Sequence, residues 1–446
     1  MSEPPTIFAL SSGHGRAGVA VIRISGPAAR EVLERMAPPH PRPRYAALRR
    51  IRHPQTAELL DEALVLWFAG PRSETSEDMA ELQVHGGRAV VQGVLEAIGT
   101  IQGCRLAEPG EFARRAFEHG KVDLTRVEGL ADLIDAETAA QRRQALRQAG
   151  GALWERYQGW RQRLIEALAL MEAAIDFSDE ADVARDAVEK ARGEALTLQA
   201  EIGAHLDDGH RGELVREGFR VVLAGLPNVG KSSLLNALAR RDVAIVSEEA
   251  GTTRDVIDVK LDLEGLPVVV SDTAGIREAE GKVEQEGIRR TLGRARAADL
   301  VLWLTDPTAP ETTSAPRLAV APDRVLVVAN KYDLLDTKVL QPLAEGAIAV
   351  SAVTGFGMDR LVRRLAAIAR ARVGDTEAAA LTQARHRQQL ERCRAALSSF
   401  LGAPAGEVEL RAEDLRRAAQ ALGRITGAVD VEDVLGEIFG RFCIGK

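Results

Sequence analysis

Short apolar, strand-like runs at residues 19–24, 63–68 and 79–85 are separated by helical and loop stretches, among them a Pro-rich loop at 38–43, and they predict an α/β domain over about residues 1–120. From about residue 121 to 216 the spacing changes. Val127, Leu130 and Ile134, then Leu164, Leu168, Met171 and Ile175, recur every three or four positions, the period of a helix with one covered face. The same period returns late in the chain at Leu415, Ala419 and Leu422, then at Val431, Val434, Leu435 and Ile438. Each half carries an apolar stripe that needs a partner. The economical arrangement is one helical domain built from residues 121–216 and 377–446, with a third domain at about 217–376 inserted into it, since insertions are tolerated where chain ends lie close. The insert carries continuous apolar runs at 219–224, 266–271 and 325–329, the pattern of buried strands. No internal repeat or extended low-complexity segment is evident.

Composition narrows the field without identifying anything. The 446 residues are 46% apolar and carry 58 Lys and Arg against 65 Asp and Glu, a net charge of −7, so bulk charge announces no nucleic-acid partner. Local arginine clusters, Arg142-Arg143-Arg147 and Arg385-His386-Arg387, read either as solvated helix faces or as RNA contacts. Cys104, Cys393 and Cys443 are too few and too scattered for a disulfide framework or a zinc site, which fits reducing cytosol. No positively charged leader precedes an apolar core, and no apolar run approaches about 18 residues, so secretion and membrane spanning are disfavoured. Cys443 stands fourth from the end, but Gly445 and Lys446 fit a prenylation box badly.

The chemistry lies in the insert. Residues 225–232 read GLPNVGKS, a complete G-x-x-x-x-G-K-S phosphate loop between an apolar run and a helical stretch. The backbone from Asn228 through Val229, Gly230, Lys231, Ser232 and Ser233 is expected to wrap the phosphates, with Lys231 reaching the β/γ oxygens and Ser232 holding Mg²⁺. Asp272-Thr273-Ala274-Gly275 places a carboxylate near the metal and a backbone N–H where the γ-phosphate is sensed. Thr253, in the segment Thr252-Thr253, is the expected second Mg²⁺ ligand. Asn330-Lys331-Tyr332-Asp333 fits the NKxD motif, and Ser351-Ala352 follows it. Asp333 can accept both the N1 and N2 hydrogens of guanine, which adenine lacks. Together and in order, these elements predict GTP binding. Ile276 stands where Ras-like enzymes carry a water-orienting glutamine. The sequence leaves open whether Arg254 or Arg277 supplies charge at the phosphates, and whether Asn228 holds a monovalent cation or only the loop. By contrast, Gly13, Gly15 and Gly18 satisfy G-x-G-x-x-G but precede a strand, so they read as a turn and not as a dinucleotide site.

With these motifs the chain resembles the MnmE (TrmE) family of bacterial and organellar tRNA-modification GTPases. The likeness runs through GVAVIRISG at 18–26, EPGEF at 108–112, KVDL at 121–124, ADLIDA at 131–136 and the terminal FCIGK at 442–446. The resemblance implies an N-terminal folate-binding and dimerisation domain, a helical domain in two halves and an inserted Ras-like G domain. It implies a K⁺ loop formed by Asn228 with Ser247, Glu248, Glu249, Ala250, Gly251 and Thr252, with metal contacts from Asn228, Ser247, Glu249 and Thr252. It gives Glu284 the task of positioning water, and Arg23, Glu81, Lys121 and Lys446 that of contacting a tetrahydrofolate derivative, 5,10-methylene or 5-formyl. It further implies a homodimeric, cytoplasmic, potassium-dependent GTPase. With the flavoprotein MnmG (GidA), such an enzyme adds an aminomethyl or carboxymethylaminomethyl group at C5 of the tRNA wobble uridine. Two departures stand out. Ser247-Glu248-Glu249 replaces the family's Thr-Asp-Ile, and Glu74 and Ser76 occupy positions where the family has Phe and Gly. Cys443 reads equally as a thiol that reacts, a redox spectator or a packing residue. Two other classes compete: an Era-like GTPase switch in RNA or ribosome assembly, and a folate enzyme whose G domain only regulates.

Overall fold

The computed structural model describes residues 4–13, 15–176, 181–208, 210–245, 258–272, 297–309, 320–335, 346–374, 380–404, 407–429 and 432–445. The N-terminal region forms a six-stranded sheet in the order β3-β4-β5-β2-β1-β6. Its strands are β1 (Thr6–Leu10), β2 (Ala17–Ser25), β3 (Ala47–Arg52), β4 (Leu59–Phe68), β5 (Met79–Gly86) and β6 (Cys104–Leu106). All neighbours run antiparallel except β1 and β6. Period-two alternation decides which face is covered. Ala20, Ile22 and Ile24 of β2 and Ala80, Leu82 and Val84 of β5 enter the core, while Arg23 and Glu81 point to the other face. Helix α1 (Ala29–Met36) covers the apolar face with Ala29, Val32, Leu33 and Met36, and α2 (Arg88–Gly99) with Val94, Ala97 and Ile98.

The inserted region has strands β7 (Phe219–Gly225), β8 (Asp258–Leu263), β9 (Leu266–Asp272), β10 (Leu300–Thr305), β11 (Val325–Ala329) and β12 (Ile348–Ala349), ordered β12-β11-β10-β7-β9-β8. Only β8 runs antiparallel to its neighbour. Parallel strands are covered on both faces and so read as unbroken apolar runs, and all six residues of β10 are buried. This is the sheet of a Ras-like G domain.

Helices supply the rest: α3 (Glu111–Glu118), α4 (Leu124–Ile134), α5 (Ala139–Ala149), α6 (Ala152–Asp176), α7 (Ala181–Leu206), α8 (Arg211–Glu217), α9 (Lys231–Ala239), α10 (Met358–Val373), α11 (Ala384–Gly402), α12 (Val408–Thr426) and α13 (Glu432–Gly440). Helix α6 packs against α12, so the two sequence halves do meet. The stripe on α6 differs from the expected one. Leu164 and Met171 are buried, but Ala167 and Ala174 fill the seam between them, while Leu168 and Ile175 are only half-buried on its flank. On α12, a Cβ at Gly423 would come within 3.3 Å of Arg161 Nε of α6, and Arg416 pairs with Glu172 of α6 at 3.3 Å. Two compact units result. One comprises residues 1–131, 148–192 and 402–446, the other 132–147 and 193–401.

Candidate functional site

Strand β7 ends at Gly225, where a Cβ would lie 2.6 Å from the Leu304 carbonyl of β10. The chain then turns through Asn228 and Gly230, both in the left-handed region at φ 63° and 93°. A Cβ on Gly230 would come within 2.3 Å of Asn330 Nδ2. Helix α9 therefore starts at Lys231 with its N-terminal amides open towards the loop, the arrangement that receives a phosphate. Lys231 Nζ donates to the carbonyls of Gly225 and Leu226, both at 3.0 Å, and so lies over the loop. Ser232 Oγ donates to Asp272 Oδ2 at 2.9 Å, and Asp272 is buried. A hydroxyl and a carboxylate so joined are hard oxygen donors that fit Mg²⁺.

Asn330, buried at the end of β11, ties two loops together. Its Nδ2 donates to the Val229 carbonyl at 2.9 Å, and its Oδ1 accepts from the Ala352 amide at 3.2 Å. Lys331 sits at φ 59° and donates to Asp306 Oδ2 at 2.7 Å. Although burial pushes the Asp306 carboxyl up, the bonds from Lys331 and Thr308 hold it below the usual carboxylate range. Asp333 stands exposed on the turn Tyr332–Leu334. Ser351 is fully buried and caps its own turn by accepting from the Thr354 amide at 3.0 Å. Tyr332 and Phe356 stack at 5.5 Å and 6° beside it. Asp306 escaped the sequence reading. Its signal is an acid directly after the buried run of β10, meaningful only once Lys331 is seen to reach it.

In the N-terminal unit, Arg23 donates to Glu81 Oε1 from Nε at 3.3 Å and Nη2 at 3.2 Å, and pairs through Nη1 with Glu74 at 2.9 Å. Its guanidinium also lies 5.9 Å from the Phe112 ring centre. Lys121 is exposed in the turn after α3, and among the described residues no contact joins it to that pair. The terminal segment docks onto β1. Ser11 Oγ donates to the Gly445 carbonyl at 2.5 Å, Ile444 bridges Pro109, and Gly445 at φ 100° leaves no room for a Cβ, which would meet Leu10 O at 2.2 Å. Ser76 takes the left-handed conformation, φ 66°, where the family pattern has glycine. Glu77 accepts from Ser25 Oγ at 2.6 Å and from Arg115 at 3.0 Å, anchoring that loop. The expected positions Ser247, Glu248, Glu249, Ala250, Gly251, Thr252, Thr253, Thr273, Ala274, Gly275, Glu284 and Lys446 lie outside the described residues. Cys443 is exposed.

Comparisons with known proteins cover nearly the whole chain. Residues 6–121 match the family described as GTP-binding protein TrmE N-terminus, and residues 124–443 match the MnmE helical domain. A tRNA modification GTPase MnmE of Parvibaculum lavamentivorans is 53% identical over 99% of this chain and 100% of its own length. One from Methylorubrum populi is also 53% identical, over 99% and 98%. Among solved structures, the G domain of the T. maritima FeoB iron transporter is 26% identical over 34% of this chain and 98% of its own, with a TM-score of 0.25. Among the described residues no helix is long and apolar enough to cross a membrane.

Proposed function

The chain belongs to the MnmE family of tRNA modification GTPases, and on that premise we propose that it couples GTP hydrolysis to modification of the tRNA wobble uridine. The partner in this reading is the flavoprotein MnmG (GidA), the group added at C5 is aminomethyl or carboxymethylaminomethyl, and the carbon comes from a 5,10-methylene- or 5-formyl-tetrahydrofolate. The observation that carries the nucleotide part is Asn330, which ties its own NKxD loop to the phosphate loop at Val229 and to the Ser351-Ala352 turn. Ser232 and Asp272, with Thr253, would hold Mg²⁺. Asn228, with Ser247, Glu249 and Thr252, would hold K⁺, which when bound supplies positive charge beside the phosphates. Lys231 stays near its loop carbonyls and reaches the phosphate oxygens when they arrive, Asp333 pairs with the guanine edge, and Glu284 orients water.

For the folate, the docked terminus supports a site assembled from both ends of the chain. Glu81 suits the donors of a pterin edge, while Arg23, Lys121 and Lys446 suit its carbonyl and carboxylates. The same reading makes the protein a cytoplasmic homodimer joined through its N-terminal domain; a light-scattering mass of a single chain would remove that part.

Reconstitution tests the proposal. Purified chain, MnmG, NADH, unmodified tRNA, GTP with Mg²⁺, the folate, KCl and an amine donor, glycine for the carboxymethylaminomethyl group or ammonium for the aminomethyl group, should yield modified wobble uridine, read by mass spectrometry of the nucleosides. Omission of folate or MnmG should abolish product, and replacing KCl by NaCl should slow hydrolysis at least about tenfold, roughly 1.4 kcal/mol of barrier. Full product without folate would sink the carbon-donor assignment, and equal rates in the two salts would sink the potassium assignment.

A further inference from the structure

Residues 40–53 read HPRPRYAALRRIRH, with five arginines and no aspartate or glutamate, in a chain whose charges sum to −7. The second half of this segment is β3, the end strand of its sheet, so among the described residues its outer edge has no strand neighbour. Cationic side chains commonly guard such an edge against pairing with another strand. How these arginines are held goes further than guarding. Arg49 donates Nε to the Pro39 carbonyl at 2.7 Å and Nη1 to Leu48 O at 2.9 Å. Arg52 donates to Ala57 O at 2.9 Å. Arg44, at φ 66°, donates to Arg72 O and lies 5.8 Å from the Phe68 ring centre. Among the described residues, Arg50 is the one of the five that pairs with a carboxylate, Glu62 at 2.7 Å. Neutral carbonyls orient a guanidinium without cancelling its charge. Between these groups stand Tyr45, 67% exposed, and Leu48, 64% exposed.

We propose that this basic edge, Arg42 through Arg52 with Tyr45, docks the sugar-phosphate backbone of tRNA. The arginines would neutralise phosphates and Tyr45 would stack on a base or sugar. The inference rests on the tRNA-modification reading above and adds where the RNA lies. A net-negative protein must offer RNA a local positive surface, because neutralised phosphates release counterions and that release supplies most of the non-specific affinity. Other arginine-rich stretches are weaker on this criterion: in the Arg385-His386-Arg387 cluster Arg387 pairs with Asp208 and Glu213, and on α10 Arg370 and Arg372 pair with Glu264 and Asp323 while Asp359, beside Arg360, pairs with Arg241.

The test uses the full-length chain, fluorescent tRNA and anisotropy titrations between roughly 50 and 200 mM salt. Arg49→Gln with Arg52→Gln should weaken binding at least about tenfold and lower the slope of log K against log salt by about 1–2, because each lost phosphate contact removes roughly 0.7–0.9. The charge-keeping pair Arg49→Lys with Arg52→Lys should retain most of the slope. Tyr45→Ala should weaken binding with the slope unchanged. Intrinsic GTP hydrolysis and light-scattering mass should stay at wild-type values in all three. Glutamine variants with wild-type affinity and slope would overturn the proposal, as would aggregation of the glutamine variant whose remaining soluble protein binds tRNA normally, which assigns the arginines to edge protection alone. A wild-type chain that binds no tRNA would instead count against the tRNA reading itself.

Discussion

Glu111 shows how far a single residue can be set by hydrogen-bond partners that all lie close to it in the chain. It is 2% exposed, yet it accepts from Arg105 at 2.6 and 2.8 Å, from Arg115 at 3.0 Å and from the Glu108 amide at 2.9 Å. Burial pushes its carboxyl up, but these donors outweigh burial and hold it at about 2, below the ordinary value of 4.5. The folded value lies below the unfolded one, so the stabilisation is complete above about pH 4.5 and is lost as pH falls towards 2, on the order of 3 kcal/mol. Glu111→Ala should therefore cost about 3–5 kcal/mol at pH 7, because Arg115 is left buried with one partner fewer. The gap to wild type should close on acidification. Denaturant titrations at pH 7 and at about pH 3 check this, and equal stability at pH 7 would show that the network contributes nothing. In the sequence Glu111 is one more charge in EPGEF, whereas Asn330, Lys331 and Asp333 stood out because the NKxD pattern names those types at that spacing. Asp306 was not, since its meaning depends on a lysine 25 residues away.

Among elements, the strand-loop-helix from β7 through α9 could be read almost whole, because a buried parallel strand is an unbroken apolar run and the loop's glycines are fixed by geometry. Gly230 carries that constraint most sharply, with φ 93° and Asn330 Nδ2 2.3 Å from where a Cβ would sit. Gly230→Ala adds left-handed strain, roughly 1–2 kcal/mol, and pushes on the side chain that joins the two loops. A fluorescent GTP analogue should bind at least about tenfold more weakly with the fold intact by circular dichroism; wild-type affinity would mean that the loop tolerates the shift. Other elements were hidden. Strand β3 contains three arginines in six residues, ALRRIR, and its edge position leaves little apolar signal, while β6 spans only three. On α6 the apolar period was visible but its centre was displaced, because close packing selected Ala167 and Ala174 over the larger Leu168 and Ile175.

For the whole molecule, the helical pairing of sequence halves followed from two apolar stripes that each lacked a partner, and α6 against α12 is that pairing. Docking of the last residues on β1 was invisible to periodicity, since a left-handed glycine, one hydroxyl-to-carbonyl bond and the single Ile444–Pro109 bridge carry it. Family membership links these parts into one account, in which GTP hydrolysis powers a change made on tRNA. The most direct measurement is mass spectrometry of wobble nucleosides in tRNA from cells that lack this protein, complemented either with the wild-type chain or with Glu284→Ala after GTP binding by that variant has been confirmed. The account predicts wobble uridines without the C5 group in the deletion strain, full restoration by the wild type and none by Glu284→Ala. Fully modified uridines in the deletion strain, or restoration by a variant that binds but does not hydrolyse GTP, would contradict it.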